Sequence, residues 1–213
     1  MLNYSVKVGH EEELGSEPMR QFSIGLNPFP GLRPFTIDES HLFFGREGQV
    51  DEILEKLGKN HSVTVMGYSG SGKSSLMHCG LVPTLYGGFM TNQGPHWIVL
   101  IVRPGNAPIE NLTQAAIKLL LDSNRILPED VHIHRAIISS VLRSGSNGLV
   151  ELTSYLQTEL KENVFFLVDQ FEELFRFKSN GGEESENEAL LYTNLVIHAV
   201  HQRDQPVYVA LNM

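Results

Sequence analysis

The sequence predicts an α/β domain built on a parallel sheet, and three observations carry that prediction. Four short β-rich runs, near 62–66, 97–102, 164–168 and 206–211, alternate with helical stretches. Two of them, Trp97-Ile-Val-Leu-Ile-Val102 and Val164-Phe-Phe-Leu-Val168, are apolar without a break, as strands buried on both faces are. The first run feeds a glycine-rich stretch that opens directly into a helix. No internal repeat of 20–50 residues is visible.

Size and charge bound the rest. The chain has 213 residues, 41% of them hydrophobic, enough for one core. Its net charge is −9 and its pI about 5.4, which disfavours a general duplex-binding surface. The lone cysteine, Cys79, forms no internal disulfide and suits a reducing cytosol, so a cytoplasmic location is expected. It reads as a small buried hydrophobe rather than a reactive thiol. No apolar run approaches ~18 residues, so no membrane span is expected, and the polar, acidic N-terminus is unlike a secretory signal.

Residues 1–26 read as a weakly structured leader, with Tyr4–Val8 and Phe22–Leu26 as possible short edge strands. Asn27–Phe35 carries three prolines and a glycine, which exclude helix and central strand; its two Phe and one Leu need burial. An extended strap packed on the domain meets both demands. Thr36–Phe44 has room for a short helical turn. Glu47–Leu57 is a predicted helix, with Val50, Ile53, Leu54 and Leu57 on one face and Gly58 just past its end.

Ser62–Met66 is the first strand. Gly72–Leu85 is the next helix, expected to break at Pro83, and Gly87–Gly94 is a loop. The 97–102 strand stops at Arg103-Pro-Gly105. Helices follow at Pro108–Leu121, Val131–Arg143 and Leu149–Leu160. The 164–168 strand ends on Asp169, and a helix begins near Phe171–Phe177. Ser179–Asn187 is Gly- and Glu-rich and reads as a solvated loop before a helix at Glu188–His201. Pro206–Leu211 is the fourth strand. The sequence stops at Met213, just past it, so a piece of a longer protein is expected.

The chemistry is concentrated between strand one and its helix. Gly67-Tyr68-Ser69-Gly70-Ser71-Gly72-Lys73-Ser74, followed by Ser75, fits G-x-x-x-x-G-K-[ST] at every fixed position. Glycines let successive N–H groups face one point, and the helix N-terminus adds its positive end, so the loop can cradle phosphates. Lys73 is placed for the β- and γ-phosphates, and the Ser74 hydroxyl for Mg²⁺. With average usage such a match arises by chance at roughly 4 in 100,000 starting points.

A phosphate loop of this kind needs a second carboxylate to hold Mg²⁺ through water, found at the end of another buried strand. Asp169 answers that need. In Val164–Phe177 (VFFLVDQFEELFRF), Glu172 and Glu173 lie within a turn of it, and a carboxylate there can polarise the water that attacks a γ-phosphate. The spacing leaves open which of the two does so. His132 with His134, and His198 with His201, lack a metal-site context and read as surface or packing histidines. Arg103 either points to the ligand face of the sheet or fixes its loop.

Five stretches, NPFPGLRPF, HLFFGRE, GYSGSGKSSL, RPG at 103–105 and VFFLVDQFEELF, together resemble the bacterial STAND-class P-loop NTPases. The similarity is to the novel STAND group often fused to WD-repeat or TPR sensors, and it covers roughly 27–213. It implies a three-layer, ASCE-type P-loop NTPase sheet of order 2-3-4-1 in the part present, with a fifth strand and helical lid lying beyond it. It also implies binding of ATP and ADP with Mg²⁺, switching that drives self-association in a signalling or defence protein, and Phe44, Gly45 and Arg46 on the base side of the nucleotide. Relatives place a polar or basic sensor residue after the fourth strand; Asn212 is a candidate for that place and is not counted among the site residues. Without the lid, nucleotide binding is expected to outlast regulated hydrolysis.

Two other functions compete. A P-loop kinase for a small acceptor would need an Arg-rich lid, for which Arg125, Arg135 and Arg143 are available. A non-hydrolysing nucleotide-binding interaction module is the third reading, favoured by the early stop.

Overall fold

The computed structural model describes residue 31 and residues 33–88, 96–178, 182–202 and 205–213. The leader, most of the 27–35 strap and much of the 87–94 loop lie outside the described residues. A 3₁₀ turn at Ile37–Leu42 leads into α1, Glu47–Asn60, and β1, Ser62–Val65. Helix α2 occupies 73–86. Then come β2, Trp97–Val102; α3, Pro108–Asp122; a 3₁₀ turn at Pro128–Asp130; α4, Val131–Arg143; and α5, Gly148–Leu160. The chain continues through β3, Asn163–Val168; α6, Glu173–Lys178; α7, Gly182–His201; and β4, Tyr208–Asn212.

All three strand pairings are parallel, and the order across the sheet is β1-β4-β3-β2. Read from the β2 edge this is 2-3-4-1. Strand β4 is thus inserted between the strand that feeds the glycine-rich loop and the strand that ends on Asp169. In β2 and β3 the register runs from Trp97 opposite Asn163 to Val102 opposite Val168. Alternate side chains therefore feed opposite faces. Leu100, Val102, Val164, Phe166 and Val168 join a core with α3, α4, α5 and α7. Trp97, Val99, Phe165, Leu167 and Tyr208 join a second core with α1 and α2. The sheet is the middle of three layers, which is why its central runs are apolar throughout.

Four elements differ from the sequence reading. Helix α1 runs through Gly58 to Asn60, and His61 at φ 61° is the left-handed residue that caps it, its N–H on the Leu57 carbonyl. Gly58 is simply tolerated on an exposed face. Helix α2 does not break at Pro83: it widens into a π segment over Leu76–Leu81 and resumes as Val82–Tyr86. The Val82 N–H reaches the Met77 carbonyl, and the Thr84 hydroxyl takes the Gly80 carbonyl at 2.7 Å, so the wider turn absorbs the ring without orphaning its neighbours.

Helix α7 starts at Gly182, inside the stretch read as a loop. Glu183 and Glu184 occupy its first turn, where the positive helix end favours them, so these acids are part of the helix start. Helix α6 begins at Glu173 rather than Phe171, because Asp169–Glu172 form the turn off β3.

Among the described residues, no helix is long and apolar enough to cross a membrane.

Candidate functional site

The glycine-rich loop leaves β1 at Met66 and enters α2 at Lys73. Gly70 and Gly72 stand at φ 80° and 82°, a left-handed backbone that a side chain would strain, so the loop needs glycine there. The loop is tied to β4: the Gly67 N–H donates to the Met213 carbonyl at 3.3 Å, and the Met213 N–H to Val65 at 3.0 Å. Lys73 folds back over the loop, Nζ donating to the carbonyls of Gly67 at 2.8 Å and Tyr68 at 3.0 Å. Tyr68 is 91% exposed, and Ser69, Gly70 and Ser71 are exposed too.

Beside the loop lies a polar junction built from three strands and α2. Asp169, only 1% exposed, continues the β3 ladder through its N–H on the Val102 carbonyl. Its Oδ1 accepts from the Ser74 hydroxyl at 3.0 Å and from the Asn212 amide. The same Asn212 Nδ2 is 3.0 Å from Ser74 Oγ. Asp169 Oδ2 accepts from Arg103 Nε at 3.2 Å and Nη2 at 3.0 Å. His78 Nε2 stands 3.6 Å from Oδ2, beyond hydrogen-bond length but within reach of the charge. Burial alone would push the Asp169 carboxyl up. The His78 ring, the Asn212 amide, the Ser74 hydroxyl and the Arg103 charge outweigh that and hold it well below the usual carboxylate range.

The two acids that spacing left open are separated by the structure. Glu172 is exposed and lines a cavity of about 640 Å³ with Gly67, Lys73, Ser74 and Asn212. Glu173 is half-buried, and its Oε2 accepts the Gly105 N–H at 3.2 Å, tying α6 to the 103–105 turn. Gln170, in the left-handed region at φ 59°, also lines the cavity. The sequence offered no signal for Gln170, whose position follows from the turn off β3.

The base-side candidates are spread apart. Phe44 is 74% exposed and does not line the cavity. Gly45 donates its N–H to Glu47, and Arg46 reaches the Ser71 carbonyl at 3.0 Å from a separate pocket between α1 and α2. Gly31, Arg33, Pro34 and Phe35 line the cavity where these three do not. The Phe35 N–H donates to Ser75 Oγ at 3.1 Å, pinning the end of the strap to the start of α2. Cys79 is buried, its Sγ 3.1 Å from the Thr36 carbonyl; burial, with the Glu39 charge, pushes its thiol up to about 11, which leaves it unreactive.

The donor set can be tested for a divalent cation. Ser74 Oγ and Asp169 Oδ1 are adjacent hard oxygens, and Asn212 Oδ1 beside them is buried without a hydrogen-bond partner among the described residues. No group of three His, Cys, Asp or Glu side chains converges among the described residues. Two protein oxygens with an open remainder fit Mg²⁺, which keeps waters and shares phosphate oxygens. A cavity of about 640 Å³ lies within the usual size of small-molecule sites.

A parallel sheet with a glycine-rich loop between strand and helix, and a buried acid on a nearby strand, is a P-loop-like arrangement. The chain matches the family model described as Novel STAND NTPase 1 over residues 28–213, and it belongs to that family, a STAND-class NTPase domain. No curated protein and no solved structure gives a match to set beside it.

Proposed function

We propose that residues 27–213 form an ATP-binding, ATP-hydrolysing switch of the ASCE type, acting in the cytoplasm within a signal-transduction or defence protein. The observation that carries the reading is the junction at Asp169. The loop serine and the strand-end carboxylate lie within one hydrogen bond of each other, although 95 residues separate them.

In this reading Gly67–Ser75 bind the phosphates through backbone N–H groups and the start of α2. Lys73 trades its two loop carbonyls for phosphate oxygens. Ser74 and Asp169 are the residues that would hold Mg²⁺, which would supply charge neutralisation to the phosphates. Glu172, on the cavity, orients and deprotonates the attacking water. Glu173 holds the 103–105 turn. Gly31, Arg33, Pro34 and Phe35 wall the nucleoside side, with Arg46 bracing the loop from outside. Asn212, at the end of β4, reports on the terminal phosphate through its Oδ1, which has no partner among the described residues. Self-association and WD-repeat or TPR sensors belong to the same proposal and rest on the family.

The test is equilibrium binding of a fluorescent ATP analogue, with unlabelled ATP as competitor. Lys73→Ala removes two charge-assisted contacts at about 1.5–3 kcal/mol each, so affinity should fall at least ~100-fold. Unchanged affinity overturns the phosphate-loop assignment.

A further inference from the structure

We infer that Arg103 makes divalent-cation binding conditional on nucleotide. This rests on the nucleotide reading above and adds a regulator that it does not contain. Three observations support it.

The first is charge. Asp169 is the buried anion of the site, and Arg103 is bound to its Oδ2 through two N–H groups. The pair is close to neutral. A divalent cation on Ser74 and Asp169 Oδ1 alone would place two further positive charges beside the guanidinium, with His78 3.6 Å from the same carboxylate. The attraction that Asp169 offers is already spent on Arg103. The phosphates of a nucleotide supply the missing negative charge.

The second is the thin donor set. No group of three His, Cys, Asp or Glu side chains converges at Asp169 among the described residues, and the other carboxylate on the cavity, Glu172, is exposed to water, so the chain brings little further charge to retain the ion.

The third is mechanical. The Arg103 backbone is fixed: Asn111 Nδ2 donates to the carbonyls of Arg103 at 3.2 Å and Pro104 at 2.8 Å, and Glu173 holds the Gly105 N–H. The Arg103 side chain itself is 51% exposed. A half-solvated guanidinium on a clamped turn can adjust its hold on Asp169 without moving the strand.

The experiment is Mn²⁺ binding, read from the electron paramagnetic resonance signal of free Mn²⁺, with and without ADP. The chains compared are wild type, Arg103→Met, Arg103→Gln and Arg103→Lys. Wild type should bind Mn²⁺ far more tightly with ADP than without it. Met and Gln remove the charge, and each should tighten nucleotide-independent binding roughly tenfold or more. Gln keeps an N–H donor for Oδ2, so it answers the question if Met does not fold. Lys should restore conditional binding. A neutral variant whose Mn²⁺ affinity without ADP is unchanged or weaker overturns the inference and leaves Arg103 a structural clamp. Failure of wild type to bind Mn²⁺ with ADP while Lys73→Ala also leaves ATP affinity unchanged overturns the nucleotide reading, and with it the inference.

Discussion

Replacing Asp169 by alanine should cost the folded chain about 3 kcal/mol. The carboxylate is 1% exposed and accepts from Ser74, Asn212 and twice from Arg103. Breaking a buried ion pair from one side typically costs about 3–5 kcal/mol, because the remaining charge is stranded. Here the remaining charge is Arg103, half in water, so the lower end applies. Ser74 and Asn212 keep each other at 3.0 Å. For a chain of this size about 3 kcal/mol corresponds to a Tm lower by roughly 6–12 °C. Asparagine should fall between wild type and alanine, since its amide oxygen still accepts from Ser74 but carries no charge for Arg103.

The pH dependence gives a second reading of the same carboxylate. Its folded pKa is depressed, so its contribution is complete above the unfolded carboxylate value of about 3.9. The contribution is lost as pH falls from there towards the folded value. Urea unfolding followed by circular dichroism at pH 7, and again in steps below pH 4, measures both effects. The gap between wild type and Asp169→Ala should narrow as the pH drops. A gap under about 1 kcal/mol at pH 7, or one that does not narrow in acid, would refute the account of Asp169 as a buried, paired anion.

Three further outcomes follow from the structure. Glu172→Gln should retain ATP but slow phosphate release at least ~100-fold, while Glu173→Gln, whose amide oxygen still accepts from Gly105, should stay near wild type; equal losses would reject Glu172 as the water-activating residue. Gly148→Ala should destabilise by about 2 kcal/mol or more, because its Cβ would stand 2.5 Å from the Val141 carbonyl and 2.9 Å from Leu142 Cα, both backbone atoms of α4. Gly58→Ala meets nothing within 4 Å on a helix interior and should stabilise by about 0.5–1 kcal/mol; chemical denaturation of the pair checks both signs.

Local chemistry made much of this protein legible in its sequence. The unbroken runs at 97–102 and 164–168 announced strands covered on both faces, because alternate side chains must enter two different cores. Gly70 and Gly72 marked a loop whose backbone only glycine adopts without strain, and Lys73 and Ser74 followed at fixed spacing. Asp169 was visible as an acid closing an apolar strand.

What the sequence could not rank were contacts that depend on two distant elements meeting. Glu172 and Glu173 are identical and adjacent; only the turn off β3 sends one to the cavity and the other to the Gly105 N–H. Arg103 could equally have pointed to solvent until the parallel register set Val102 beside Val168 and brought its guanidinium to Asp169. Asn212 became part of the site because β4 enters between β1 and β3. Pro83 would end an ordinary helix, yet the π turn before it keeps α2 continuous, with Leu76, Met77, Leu81, Val82 and Leu85 buried. Backbone conformation and burial are written residue by residue, whereas the partner of a buried charge is chosen by which strands lie side by side.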